Sequence, residues 1–128
     1  CFSGKYTEKE VYKKLVGNGG FNAYMGTNDM RDVEKAVLAG DKNAEEIRDA
    51  FILQVAKDMG SMACVLDGKV DQIIVTGGIA YDKGVVAGLK ERAEWIAPFT
   101  VYPGEDELLA LVQGGLRVIN GVEEAMKY

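Results

Sequence analysis

Apolar positions along this chain fall first into helical and only later into strand-like patterns. Thr7 and Glu10 form a capping-box signature that opens a helix over residues 8–16, with Val11, Leu15 and Val16 as its apolar face and Gly17 as its stop. After the Gly17–Gly20 loop, Phe21-Asn22-Ala23-Tyr24-Met25 alternates with period two, which predicts a short strand. Asn28 and Asp29 offer a helix cap, and Met30, Val33 and Val37 continue at helical spacing to Ala39, closed by Gly40. The strongest period belongs to a helix from Asp41 to Leu66. Ile47, Phe51, Val55, Met59, Met62 and Leu66 recur every three or four residues there, which predicts the buried stripe.

The second half of the chain changes character. Asp67-Gly68-Lys69 reads as a turn, and Val70–Val75 as a compact β-branched strand broken by Thr76-Gly77-Gly78. Asp82 caps a helix carrying Val85, Val86, Leu89, Ala93 and Ile96, which Pro98 stops. Phe99–Tyr102 is a second strand, and a last helix runs from Leu108 to Ile119. Strand, helix, strand, helix predicts an α/β unit with parallel strands and flanking helices. Two parallel strands do not bury a sheet by themselves, so either the 21–25 segment or chain from elsewhere must complete it.

Composition narrows the function classes. The chain has 128 residues, suited to one domain, with 15 basic and 20 acidic side chains and a net charge of −5, which disfavours general nucleic-acid binding. No apolar run approaches the ~20 residues of a membrane helix. Histidine is absent, which excludes Ser-His or Cys-His nucleophile pairs and histidine metal sites within these residues. Two distant cysteines, Cys1 and Cys64, make no disulfide framework, and a reducing cytoplasm is the simplest setting. A start at Cys1 rather than Met leads us to expect a piece of something longer.

Four segments carry candidate chemistry, each with a plainer structural alternative. Thr76-Gly77-Gly78-Ile79-Ala80 follows a buried strand, where open α/β sheets bind ligands and where glycine lets backbone approach a ligand closely. The plain alternative is a tight strand-to-helix turn. Asp29-Met30-Arg31 opens a helix, where Asp29 can accept from ribose hydroxyls and Arg31 can stack on a purine; the plain alternative is ordinary capping. Glu105, Asp106 and Glu107 are hard oxygen ligands of the kind that suit Mg²⁺, or acids favoured by a helix dipole. Ala110, Gly114 and Gly115 lie along one side of the last helix and predict a close contact.

Taken in order, Cys1–Tyr6, Gly26-Thr27-Asn28-Asp29-Met30-Arg31-Asp32-Val33-Glu34, Val75–Ala80 and Tyr102-Pro103-Gly104-Glu105-Asp106-Glu107 resemble the C-terminal part of butyrate kinases. These are similar to acetate kinases, within the superfamily of sugar kinases, Hsp70 and actin. The resemblance implies the C-terminal part of an actin-like, ribonuclease H-like ATPase domain over residues 1–128. It also implies reversible phosphoryl transfer between ATP and a short carboxylate with Mg²⁺. By that resemblance Thr76–Ala80 and Asp29, Met30 and Arg31 contact adenosine in ATP or ADP. Asp106 and Glu107, with Glu105 beside them, fall where magnesium-linked acids lie. The last helix resembles an interdomain connector.

The family's phosphate loops and its catalytic histidine, arginines and aspartate have no counterpart here, so no catalytic residue is expected in this chain. The carboxylate is expected to bind through an absent N-terminal half, and the resemblance implies a cytoplasmic homo-oligomer that binds neither nucleic acid nor membrane. Rival expectations are a kinase of branched-chain or other short carboxylates and a non-catalytic folding or oligomerisation module.

Overall fold

The computed structural model describes residues 3–127. Cys1 and Phe2, which begin the first segment of the resemblance, lie outside it. Four helices come first: α1 (Glu8–Leu15), α2 (Gly20–Met25), α3 (Met30–Leu38) and α4 (Lys42–Val65). Then follow β1 (Ile73–Gly77), a 3₁₀ turn (Gly78–Tyr81), α5 (Lys83–Ala93), β2 (Phe99–Pro103) and α6 (Glu107–Ile119). The mixed α/β architecture expected from the sequence is present and fits the C-terminal part of an actin-like ATPase domain.

Helix starts follow the capping residues. Thr7 accepts from the Glu10 backbone N–H at 3.3 Å while Glu10 accepts from the Thr7 N–H at 2.7 Å, closing the capping box. Asp29, Asp41 and Asp82 cap α3, α4 and α5 through their own carboxylates. Each cap satisfies donors that the first helical turn leaves free.

Residues 21–25 are helical, not a strand. The alternation in five residues also places Phe21 and Met25 four apart, on one side of a helical turn, and both pack against the core. Gly26, at φ 72°, ends the turn with its N–H bonded to the Asn22 carbonyl. Phe21 lies 5.2 Å, ring centre to ring centre, from Phe51 of α4. Among the described residues the sheet therefore has two strands. β1 and β2 are parallel, with Ile73 opposite Phe99 and Gly77 opposite Pro103. The first strand begins at Ile73 rather than Val70, because Val70–Gln72 lead out of the Asp67–Gly68 turn before meeting a partner.

The core gathers Met30 and Val33 of α3, Ile52 of α4, and Val85 and Leu89 of α5. This corrects the expected stripe of α4. Its fully buried residues are Ala44, Ile52 and Ala63, while Phe51, Val55 and Met59 are only partly covered and Met62 and Leu66 are exposed. Small side chains mark the line of closest helix approach, and they carry little weight in a hydrophobic period. The same logic explains Gly88 of α5, where an added Cβ would sit 2.9 Å from Ile52 Cδ1 and 3.1 Å from its Cγ2.

The close contact expected of Ala110, Gly114 and Gly115 is not made within the described residues. α6 has no buried residue, and a Cβ at Gly115 would meet nothing within 4 Å. Leu108, Leu111, Val112 and Ile119 are exposed along it. The accessible surface is 10076 Å², against about 6,700 Å² for a compact protein of this mass.

If the α4–α5 approach holds the core together, Gly88→Val should lower stability by about 2 kcal/mol or more through overpacking. Ile52→Ala should cost about 2–4 kcal/mol through the cavity it leaves. The double variant should lose less than the two losses combined, as measured by urea unfolding, because each change relieves the other; strict additivity would show that the two residues do not share a contact.

Candidate functional site

The C-terminal ends of β1 and β2 are tied into one unit. Gly77 and Gly104 exchange backbone hydrogen bonds at 3.2 and 3.1 Å, and the Thr76 hydroxyl donates to the Gly104 carbonyl at 3.3 Å. Gly77 sits at φ 82°, a conformation that side-chain-bearing residues rarely adopt, and a Cβ there would lie 3.4 Å from Glu105 Oε1. Gly104, at φ 94°, passes beneath Tyr81, whose hydroxyl lies 2.7 Å from where a Cβ would project. This junction turns the loop after β2 back over the loop after β1.

A shallow depression of about 480 Å³ results, lined by Thr76, Gly104, Glu105, Asp106, Glu107 and Ala110. Thr76, which opens the Gly-Gly segment singled out from the sequence, and the three acids therefore share one concave surface at the carboxyl ends of parallel strands. Gly78 opens the 3₁₀ turn beside it. Gly78 is exposed, and a Cβ there would meet nothing within 4 Å. Ile79 is partly exposed, whereas Ala80 is buried beneath the turn.

The acids are all exposed. Asp106 stands at the N-cap position of α6 without a side-chain capping bond, so its carboxylate is not committed to the helix. Among the described residues no three Asp, Glu or Cys side chains converge as a metal cage. The donor set nevertheless fits Mg²⁺, which binds through one or two carboxylates and takes its other oxygens from water and phosphates.

Asp29, Met30 and Arg31 do not line this depression. Asp29 accepts from the Arg31 backbone N–H at 2.9 Å and also receives the Arg31 guanidinium, with Nε 2.9 and 3.0 Å from its two oxygens. The Thr27 hydroxyl oxygen accepts from the Asp29 N–H at 3.1 Å. The Arg31 hydrogen bonds, side chain first and backbone second, hold the Asp29 carboxyl at about 2, below its ordinary 3.8. Met30 points inward and joins the buried cluster that also holds Val85 and Leu89 of α5.

Two polar residues escaped the sequence reading of the site. Asp82, recognised as a cap, is only 6% exposed; its Oδ1 accepts from the Val85 N–H at 2.9 Å, and its Oδ2 is buried without a partner among the described residues. Arg48 of α4 is the second. The Ala44-Arg48-Ile52 spacing puts a guanidinium on the buried row of the helix, and that spacing was the available signal.

The acetokinase family matches residues 3–94, most of the chain. The chain belongs to the acetokinase family. Within known proteins this acetokinase-family chain is 59% identical over all its residues to a probable butyrate kinase of Clostridium botulinum (strain Alaska E43 / Type E3). It is also 59% identical to butyrate kinase 2 of Clostridium acetobutylicum and 51% identical to butyrate kinase 1 of that organism. Each comparison covers the whole chain and 36% of the relative, so the chain spans about a third of the length of the curated relatives it matches. No helix among the described residues is long and apolar enough to cross a membrane.

The Asp29–Arg31 pair has a consequence for acid stability. With its folded value depressed, Asp29 contributes fully above about pH 4, and that contribution is lost as pH falls from there through about 2. Asn at this position keeps a capping oxygen but not the charge. Urea midpoints of the parent chain should therefore fall more steeply between pH 4 and 2 than those of Asp29→Asn. Parallel curves would mean that the pair contributes nothing in solution.

Proposed function

We propose that this chain is the nucleotide-binding portion of a butyrate kinase, residues 1–128 forming its C-terminal part, and that ATP or ADP binds against Thr76–Ala80. The observation that carries the reading is the 59% identity, unbroken over the whole chain, to proteins named butyrate kinases. The geometry supports it: Gly78 has an open face at the ends of parallel strands, and Thr76 shares one depression with the exposed acids. The reaction is butanoate plus ATP giving butanoyl phosphate plus ADP, reversibly.

In this reading each segment has a limited task. Gly77 sets the direction of the turn, and Gly78 leaves room for the base or ribose at its mouth. Asp29 offers carboxylate oxygens to ribose hydroxyls, and the exposed Arg31 guanidinium offers a flat face to the base, with Met30 anchoring both to the core. Asp106 and Glu107, with Glu105 alongside, would hold Mg²⁺, which when bound neutralises phosphate charge. The described residues place no guanidinium or ammonium in the depression lined by the acids. Phosphoryl transfer depends on positioning and charge neutralisation around the phosphates, so the chain alone supplies binding and orientation. The carboxylate binds through the remaining part of the kinase, in the cytoplasm. The exposed apolar row of α6 is covered in the homo-oligomeric enzyme.

Gly78→Val separates this site from a mere bend. Unlike Gly77, Gly78 has neither a positive φ nor a neighbour for a new Cβ, so the variant should fold normally. In the whole kinase it should raise the KM for ATP and ADP by roughly tenfold or more while butyrate KM changes little. Arg31→Ala should act in the same direction but less. Asp106→Asn and Glu107→Gln should lower kcat at limiting Mg²⁺ and recover as Mg²⁺ is raised. An unchanged nucleotide KM in folded Gly78→Val would place the nucleotide elsewhere.

The isolated chain should make no butanoyl phosphate and should self-associate through its open faces. Mg²⁺-dependent product from mass-verified chain would contradict the first expectation, and a cooperatively folded monomer by light scattering the second.

A further inference from the structure

The Asp82 carboxylate poses a problem that helix capping does not resolve. One oxygen is used, by the Val85 N–H; the other is buried with no partner among the described residues. A buried carboxylate oxygen left unpaired is unfavourable, and such groups are usually matched by a donor or counter-charge. A candidate lies on α4. Arg48 Nη1 is 3.6 Å, and Asp82 Oδ1 3.2 Å, from the point that a Cβ of residue 84 would occupy. The two groups are thus no more than about 7 Å apart across a gap that Gly84 leaves open.

Arg48 is itself mostly covered, its side chain 20% exposed. Its Nε and Nη2 both bond to Asp49 Oδ1, at 3.2 and 3.0 Å, which leaves Nη1 on the side of Gly84 with no bond among the described residues. Asp49 is half-exposed and solvated, so it is a weakly held partner.

We propose that Arg48 and Asp82 are a positioning pair for the Gly-Gly turn, Arg48 exchanging Asp49 for the buried Asp82 carboxylate when nucleotide seats against residues 76–80. Asp82 is placed for this role at both ends. Its backbone N–H closes the 3₁₀ turn on the Ile79 carbonyl at 2.9 Å, and its side chain starts α5. A guanidinium brought against it from α4 would fix the turn, α5 and α4 relative to one another at the base of the site. Neither residue touches reacting atoms; both act through the turn. The proposal rests on the nucleotide reading given above.

The test is a double-mutant cycle in the whole kinase with Arg48→Met, Asp82→Asn and the double variant. Asn retains the capping oxygen, so α5 still starts. Each single change should raise the KM for ATP and ADP about fivefold, and the double variant also about fivefold rather than about 25-fold, because the two changes remove one interaction. The kcat and butyrate KM should stay within about twofold, and Arg48→Lys should regain part of the nucleotide affinity.

Independent, multiplying effects would overturn the pair. So would lowered melting temperatures with unmoved nucleotide KM, which would reduce Asp82 to a helix cap. Gly78→Val, run alongside, separates this proposal from the site reading. Impaired nucleotide binding in Gly78→Val with uncoupled Arg48 and Asp82 keeps the site and removes the pair. A silent Gly78→Val removes the assigned turn and, with it, the role proposed for the pair, whatever coupling Arg48 and Asp82 show.

Discussion

The contact between Ile52 and Gly88 is what the rest of the structure depends on. A glycine in a helix interior costs about 1 kcal/mol relative to alanine, and here it lets α5 lie so close to α4 that even a methyl group would press on Ile52. With that approach fixed, Val85 and Leu89 enter the buried cluster with Met30 and Val33. The N-terminus of α5 is then fixed as well, and Asp82 carries its position into the 3₁₀ turn through the bond to the Ile79 carbonyl. The turn at Gly78 is therefore held from below by packing between helices, while the two-stranded sheet supplies its direction.

A second constraint works at the strand ends. The paired bonds between Gly77 and Gly104 bring two loops distant in sequence onto one surface. Both glycines have positive φ and both lie under another side chain, Gly77 under Glu105 and Gly104 under Tyr81. Because the strands are parallel, both loops leave the sheet at the same end, and the exposed acids come to border the Gly-Gly turn. An antiparallel pairing of the same two strands would have put them at opposite ends.

The molecule also leaves much apolar surface open. α6 has no buried residue, and Ile74 and Tyr102 stand exposed on the outer face of the sheet. Exposed apolar rows of this kind mark surfaces that meet other protein.

The sequence by itself determined the caps, the strand-helix-strand order and the identity of the candidate segments. Capping boxes, Asp at helix starts and β-branched runs act within a few residues, so Thr7, Asp82 and Ile73–Val75 were legible. Parallel pairing followed from the crossover helix. Tertiary structure decided what local pattern leaves ambiguous. Phe21–Met25 alternates like a strand, but four-residue spacing lets both ends face the core, and packing on Phe51 selected the helix. On α4 the large apolar residues pointed to one stripe, while the buried positions are Ala44, Ile52 and Ala63, with Ile52 seated against Gly88 of α5. The unpartnered oxygen of Asp82 and the nearness of Arg48 depend on burial and on a gap opposite Gly84. Both arise only where α4 and α5 meet, and no spacing along the chain encodes that distance.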